Sequence, residues 1–263
     1  MTSLSATDVG FAYRGDEPVI ERFSLEFHPG QLVVLLGGNG AGKTTLLQLL
    51  AGQLHAQSGS ILVDGQPIKS WSRTELATRL TLMPQFEPND TSFSVEEMVQ
   101  LGRSVHRGWF LPFTSDDTRA VDRAMELTGI QELRDRSIKS LSGGQWRRAV
   151  LARSLAQESP ILLLDEPTSG LDLRHQFECL GQLRSLVHDN QLIAIVTLHN
   201  LNFAAMFADR IAVLANRRLR AVGLPEEVIT EGIIQDAFGI QVSVVHHILP
   251  GKPFVVPAAE MIG

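Results

Sequence analysis

The run Gly37-Gly38-Asn39-Gly40-Ala41-Gly42-Lys43-Thr44-Thr45 leaves this chain few folds to choose from. It fits G-x-x-x-x-G-K-[ST], a loop whose glycines, lacking Cβ, let consecutive backbone N–H groups turn toward a polyphosphate. Lys43 supplies a point charge and Thr44 a hydroxyl suited to Mg²⁺. Such a loop has to follow a buried strand and open a helix. The flanks agree: Leu32 to Leu36 is a continuous apolar run, and Thr44 to Leu50 continues at helical spacing. On its own, this motif says only that a nucleoside triphosphate binds.

Two further motifs follow in a fixed order. Ile161 to Asp172 reads ILLLDEPTSGLD, an apolar strand ending in adjacent carboxylates. There Asp165 suits a magnesium ligand and Glu166 suits polarisation of an attacking water. Between the two lies Leu141-Ser142-Gly143-Gly144-Gln145, which opens a helical stretch from Gly144 to Ala156 and so makes a second helix N-terminus favourable to anions.

With these motifs in place, the chain resembles the ATP-binding subunit of ABC transporters over nearly its whole length. The resemblance implies an α/β fold with a P-loop NTPase core, a mostly parallel sheet flanked by helices, an N-terminal antiparallel β subdomain and an inserted α-helical signature subdomain. It implies one ABC ATPase domain over residues 1–263, with core segments 1–84 and 158–263 and a helical segment of about 85–157. ATP and Mg²⁺ are the implied cofactors. In the family an aromatic at the position of Tyr13 stacks on adenine, a glutamine at Gln85 contacts Mg²⁺ and the water, and a switch histidine at His199 hydrogen-bonds the γ-phosphate. Nucleotide on Gly37 to Thr45 of one copy is covered by Ser142, Gly143, Gly144 and Gln145 of a second, so a homodimer closes on two ATP molecules, with Ser169 to Asp172 crossing between copies. Three residues depart from the usual family pattern: Gly38 replaces a proline, Trp146 a polar residue and Asn200 an aspartate.

The remaining pattern is compatible with that architecture. Leu4 to Tyr13 and Ser24 to Phe27 alternate apolar and polar residues, as antiparallel strands do. Ile161 to Leu164 and Leu192 to Leu198 read as buried strands, the second ending at His199. Between Gln85 and Leu141 helical spacing dominates, at Ser94 to Gly102 and Asp116 to Thr128. Beyond Arg217 the pattern predicts strands at Arg218 to Val222 and Val242 to His247, with a helix begun by Pro225. The single cysteine, Cys179, reads as a small buried residue on the amphipathic segment Leu173 to Val187. The neighbours His246 and His247 read as structural or solvent-exposed, not as metal ligands.

Net charge is −6, which provides no global field for nucleic acid. The apolar runs fall far short of the roughly 20 residues that span a bilayer. With no secretory leader in the pattern, the reading is a peripheral protein on the cytoplasmic face of the inner membrane, acting through a polytopic permease and, indirectly, a chelate-binding protein. Val99 to Arg103, His106 and the cluster Trp109 to Phe113 resemble importers of metal chelates: ferric siderophores, haem and cobalamin. Gln66 to Ser72 and Leu171 to Gln176 are similar to hydroxamate and citrate siderophore subunits. The alternatives are a haem or cobalamin importer, a soluble ABC ATPase without a permease, and a catalytically dead subunit. The acidic Glu96-Glu97 pair and the aromatic cluster after Trp109 are the expected permease contact.

Overall fold

The computed structural model describes residues 2–13, 17–88, 92–107, 112–249 and 252–258. Strands are β1 (Leu4–Ala12), β2 (Pro18–Phe27), β3 (Gln31–Leu36), β4 (Ser58–Val63), β5 (Gln66–Pro67), β6 (Leu80–Met83), β7 (Ile161–Asp165), β8 (Ile193–Thr197), β9 (Arg210–Ala215), β10 (Arg218–Gly223), β11 (Val242–Leu249) and β12 (Lys252–Pro257). Helices are α1 (Lys43–Leu50), α2 (Arg73–Arg79), α3 (Val95–Gln100), α4 (Ser115–Leu127), α5 (Gly143–Ala156), α6 (Leu173–Asp189), α7 (Leu201–Phe207), α8 (Pro225–Val228) and α9 (Glu231–Phe238).

Among the described residues, a six-stranded sheet runs in the order β10-β9-β3-β8-β7-β6, parallel except for the β9–β10 pair. An antiparallel sheet, β2-β1-β4-β5, stands beside it. The apolar run of β3 is continuous because both of its faces are buried, as in any parallel sheet covered on two sides. Leu32, Val34 and Leu36 join one apolar cluster, with α3 to α7; Val33 and Leu35 join the other, with α1 and the antiparallel sheet. Each such fully buried side chain contributes on the order of 1.5–3 kcal/mol.

The sheet order brings β3, β7 and β8 side by side, so the loops after their C-terminal ends meet, where ligands gather in open α/β sheets. Ser94, Thr114 and Ser142 form capping boxes with Glu97, Asp117 and Gln145, which fixes where α3, α4 and α5 begin. Strand β8 is shorter than the sequence pattern suggests: it stops at Thr197, and His199 stands two residues beyond it. The described residues between Gln85 and Leu141 are largely helical as expected, with a 3-10 turn following α3 and two more between α4 and α5. Strand β9, fully apolar after Arg210, was not foreseen; it fills the sheet between β3 and β10.

The Cys179 thiol is buried in α6, and burial pushes it up to about 12. None of the described helices is long and apolar enough to cross a membrane.

Candidate functional site

Strand β3 delivers the chain to Gly37, where a Cβ would sit 2.5 Å from the Leu214 carbonyl oxygen of β9, so only glycine fits. Helix α1 starts from Gly42, whose φ of 93° is left-handed and whose Cβ would meet Ile20 at 2.8 Å. The N-cap makes no side-chain hydrogen bond, and the first turn keeps its N–H groups for an anion. The Lys43 ammonium is buried and donates to the carbonyl oxygens of Gly37 and Gly38, at 2.8 and 3.0 Å. Burial holds its pKa below the ordinary lysine value, and the Glu166 and Asp165 carboxylates oppose that shift. The Tyr13 ring is 51% exposed, packed edge-on against Phe11, with its hydroxyl 3.1 Å from Thr45 Oγ1.

The carboxylates come from the neighbouring strand end. Parallel register sets Asp165 of β7 opposite Thr197 of β8. The Thr197 hydroxyl donates to Asp165 Oδ1 at 2.6 Å and accepts the Glu166 N–H at 2.8 Å. Asp165 Oδ2 is buried without a hydrogen-bond partner. A buried carboxylate oxygen lacking a donor suits a hard cation, so the donor set fits Mg²⁺. Glu166 Oε1 accepts from Gln85 Nε2 at 2.7 Å and from His199 Nε2 at 2.5 Å. A carboxylate can only accept, so His199 carries its hydrogen on Nε2. Glu166 itself has a left-handed φ of 51°, a conformation that costs a non-glycine residue energy and occurs preferentially at functional sites. A cavity of about 240 Å³ opens beside it, lined by Glu166, Thr168, Ser169, His199 and Asn200 among others.

Helix α5 starts at the Ser142–Gln145 box, in which Ser142 Oγ accepts the Gln145 N–H at 3.3 Å. Gly143 is exposed with open space around it, whereas a Cβ on Gly144 would come within 3.0 Å of the Gly170 carbonyl oxygen. Sequence reasoning missed two residues here. Thr197 gave no signal before its register with Asp165 was known. Arg147, a buried cation in the first turns of α5, donates from Nε to the Glu166 carbonyl at 3.0 Å and from Nη1 to the Pro84 and Gln85 carbonyls at 2.8 Å, while Nη2 reaches the Asp165 carbonyl.

A sequence model described as ABC transporter matches residues 20–169, more than half of the chain. The chain belongs to the ABC transporter family. It is an ATP-binding-cassette ATPase in fold and in its motifs. It is 40% identical to the hemin import ATP-binding protein HmuV of Streptomyces coelicolor, over 92% of this chain and 86% of that one. It is 35% identical to the ferric enterobactin transport ATP-binding protein FepC of Escherichia coli, over 92% and 90% respectively. In three dimensions it is similar to a chain of a transporter proposed to be of metal-chelate type, solved in an inward-facing conformation; the TM-score is 0.84, with 27% identity and full coverage of both chains.

The departures from the ABC pattern each have a local partner. A Cβ at Gly38 would lie 3.2 Å from the Ala237 carbonyl oxygen. The Trp146 indole N–H donates to the Glu87 carbonyl at 3.1 Å. Asn200 caps α7, accepting the Asn202 and Phe203 N–H groups at 2.9 and 3.1 Å. Of the expected permease contact, Glu97 closes the α3 capping box and Glu96 pairs with Arg134 at 2.5 Å. Trp109 and Phe110 lie outside the described residues. Phe113 is 39% exposed and lies under the Arg107 guanidinium.

Proposed function

We propose that this ATPase energises a membrane importer of metal chelates, not by touching the cargo but by closing and opening against a second copy of itself.

 Ferric siderophores of hydroxamate or citrate type are the cargo class. The single observation that carries the ATPase site is the convergence of Gln85 and His199 on one oxygen of Glu166, beside the buried Asp165 carboxylate. The similarity to hemin and ferric enterobactin import proteins over about nine-tenths of the chain supports metal-chelate import as the wider class, and the narrower cargo rests on the likeness of Gln66 to Ser72 and Leu171 to Gln176 to hydroxamate and citrate siderophore subunits.

In this reading Gly37 to Thr45 wraps the phosphates of ATP, Lys43 meets their charge, and Tyr13 stacks on the adenine. Thr44, Asp165 and Gln85 hold Mg²⁺, which when bound neutralises charge on the phosphates. Glu166 polarises the attacking water, and His199 reaches the γ-phosphate and orients Glu166. Ser142 to Gln145 of a second copy covers the same nucleotide, so hydrolysis releases the pair and drives a conformational cycle. Residues 85–157 act as the helical segment between the two core segments. Phe86, 83% exposed next to Gln85, and Phe93 offer the apolar contact for the permease at the cytoplasmic face of the membrane.

Uptake in cells lacking the chain tests the cargo. Uptake of an iron-labelled hydroxamate siderophore should fall to background and return with the wild-type chain but not with Lys43→Ala. Loss of haem uptake with siderophore uptake intact would move the cargo to haem. Co-purification with a polytopic membrane protein separates this reading from an ATPase that works without a permease.

A further inference from the structure

Arg147 is 7% exposed, yet the hydrogen bonds of its guanidinium go to main-chain oxygens, those of Pro84, Gln85, Asp165 and Glu166. Burying such a cation is expensive, and desolvation pushes its pKa down while the Asp165 and Glu166 carboxylates pull it back. Its position suggests what the cost sustains. The Asp165 and Glu166 carbonyls flank the left-handed Glu166 backbone, and the Gln85 carbonyl belongs to the residue whose amide bonds Glu166 Oε1. One planar fork therefore fixes both loops that present the Glu166–Gln85 pair.

The same helix carries Ser142 to Gln145 at its start. Two other α5 side chains grip the segment after Gln85: Trp146 donates to the Glu87 carbonyl, and Arg153 pairs with the Glu87 carboxylate, with one contact at 2.6 Å. We propose that Arg147 is a positioning residue that ties the placement of the Ser142–Gln145 cap to that of Glu166 and Gln85 in the same subunit. Resting on the head-to-tail pairing proposed above, this gives α5 two duties. Its first turn meets the partner's nucleotide, and Arg147 passes that contact to the hydrolytic cluster of its own site.

The test uses the full chain with Mg-ATP, comparing wild type with Arg147→Gln and Arg147→Lys. Turnover against ATP concentration gives kcat and the Hill coefficient; a fluorescent ATP analogue gives affinity, and thermal melting reports the fold. Arg147→Gln should keep nucleotide affinity within about threefold but lower kcat by about 10- to 100-fold, the penalty of a misplaced reacting group. Its Hill coefficient should fall toward that of independent sites. Arg147→Lys keeps the charge without the fork and should lose kcat in the same direction. Should Arg147→Gln fail to fold, Arg147→Lys decides by the same readings. Unchanged kcat and Hill coefficient in folded variants overturn the proposal, as does a loss of kcat that merely tracks lost affinity and melting temperature. A wild-type chain that hydrolyses ATP without cooperativity counts instead against the head-to-tail pairing, and the kcat of Arg147→Gln then still decides whether Arg147 positions Glu166.

Discussion

The environment of Glu166 separates two roles that adjacent carboxylates could share. Asp165 is locked by Thr197 on one oxygen and leaves the other without a donor, whereas Glu166 is held at its tip by Gln85 and His199. Glu166→Gln should therefore retain Mg-ATP binding and lose about 10²- to 10⁴-fold in turnover, since an amide neither accepts the proton nor polarises the water in the same way. ATPase rate and sedimentation measured together check this: nucleotide-bound dimer should accumulate, and near-normal turnover would remove Glu166 from the catalytic role. The half-exposed Tyr13 allows a sharper distinction, because its hydroxyl bonds Thr45 while its ring is open to a base. Tyr13→Ala should cost about 1–3 kcal/mol of ATP affinity and Tyr13→Phe almost none. Equal losses in calorimetric titrations would assign the effect to the hydroxyl.

At the scale of elements, α4 is fastened through its first turn. Asp117 is buried, closes the capping box with Thr114 and pairs with Arg103 at 2.9 Å. Burial by itself raises the Asp117 carboxyl, but hydrogen bonds from Thr114 and Arg103 outweigh it and hold the group at about 2. The folded value lies below the unfolded one of about 3.9, so the stabilisation is present above pH 4 and is lost as pH falls toward 2. Asp117→Asn should destabilise the chain at pH 7 by about 1–3 kcal/mol, the penalty of leaving buried donors poorly matched. In urea titrations the gap between wild type and variant should narrow between pH 4 and pH 2.5. A gap independent of pH would mean that packing and not charge fastens this turn.

For the whole molecule the decisive property is that the two helix starts proposed to meet nucleotide, at Gly42 and at Ser142, belong to different parts of the fold. If each serves the nucleotide of an opposite copy, mixing Lys43→Ala chains with Ser142→Arg chains produces a dimer with one doubly damaged site and one intact site. That mixture should bind ATP at the intact site, while either variant alone is defective at both. Nucleotide-dependent dimer should be recovered from the mixture by size exclusion. Its absence from a mixture of folded variants would argue against head-to-tail pairing.

Much of the site was legible in the sequence because its chemistry is written in contiguous runs. A phosphate loop needs its glycines, lysine and threonine at fixed spacing, and paired carboxylates need an apolar strand to carry them, so Gly37 to Thr45, Asp165 and Glu166 could be placed before any fold was known. Gln85 and His199 carry no such local signal; their roles came from resemblance, and only the sheet order brought both to Glu166 Oε1. Thr197 and Arg147 were invisible for the same reason, since a hydroxyl on a buried strand and a cation in a helix acquire meaning from neighbours 32 and 19 residues away. The Glu96-Glu97 pair shows the converse: two charges that look free along the chain acquire partners, a cap and Arg134, once α3 is placed. Local sequence determined the loop and the carboxylate pair, because backbone conformation and strand burial depend on adjacent residues. Tertiary structure decided which side chains meet there, because that depends on the order of strands in the sheet.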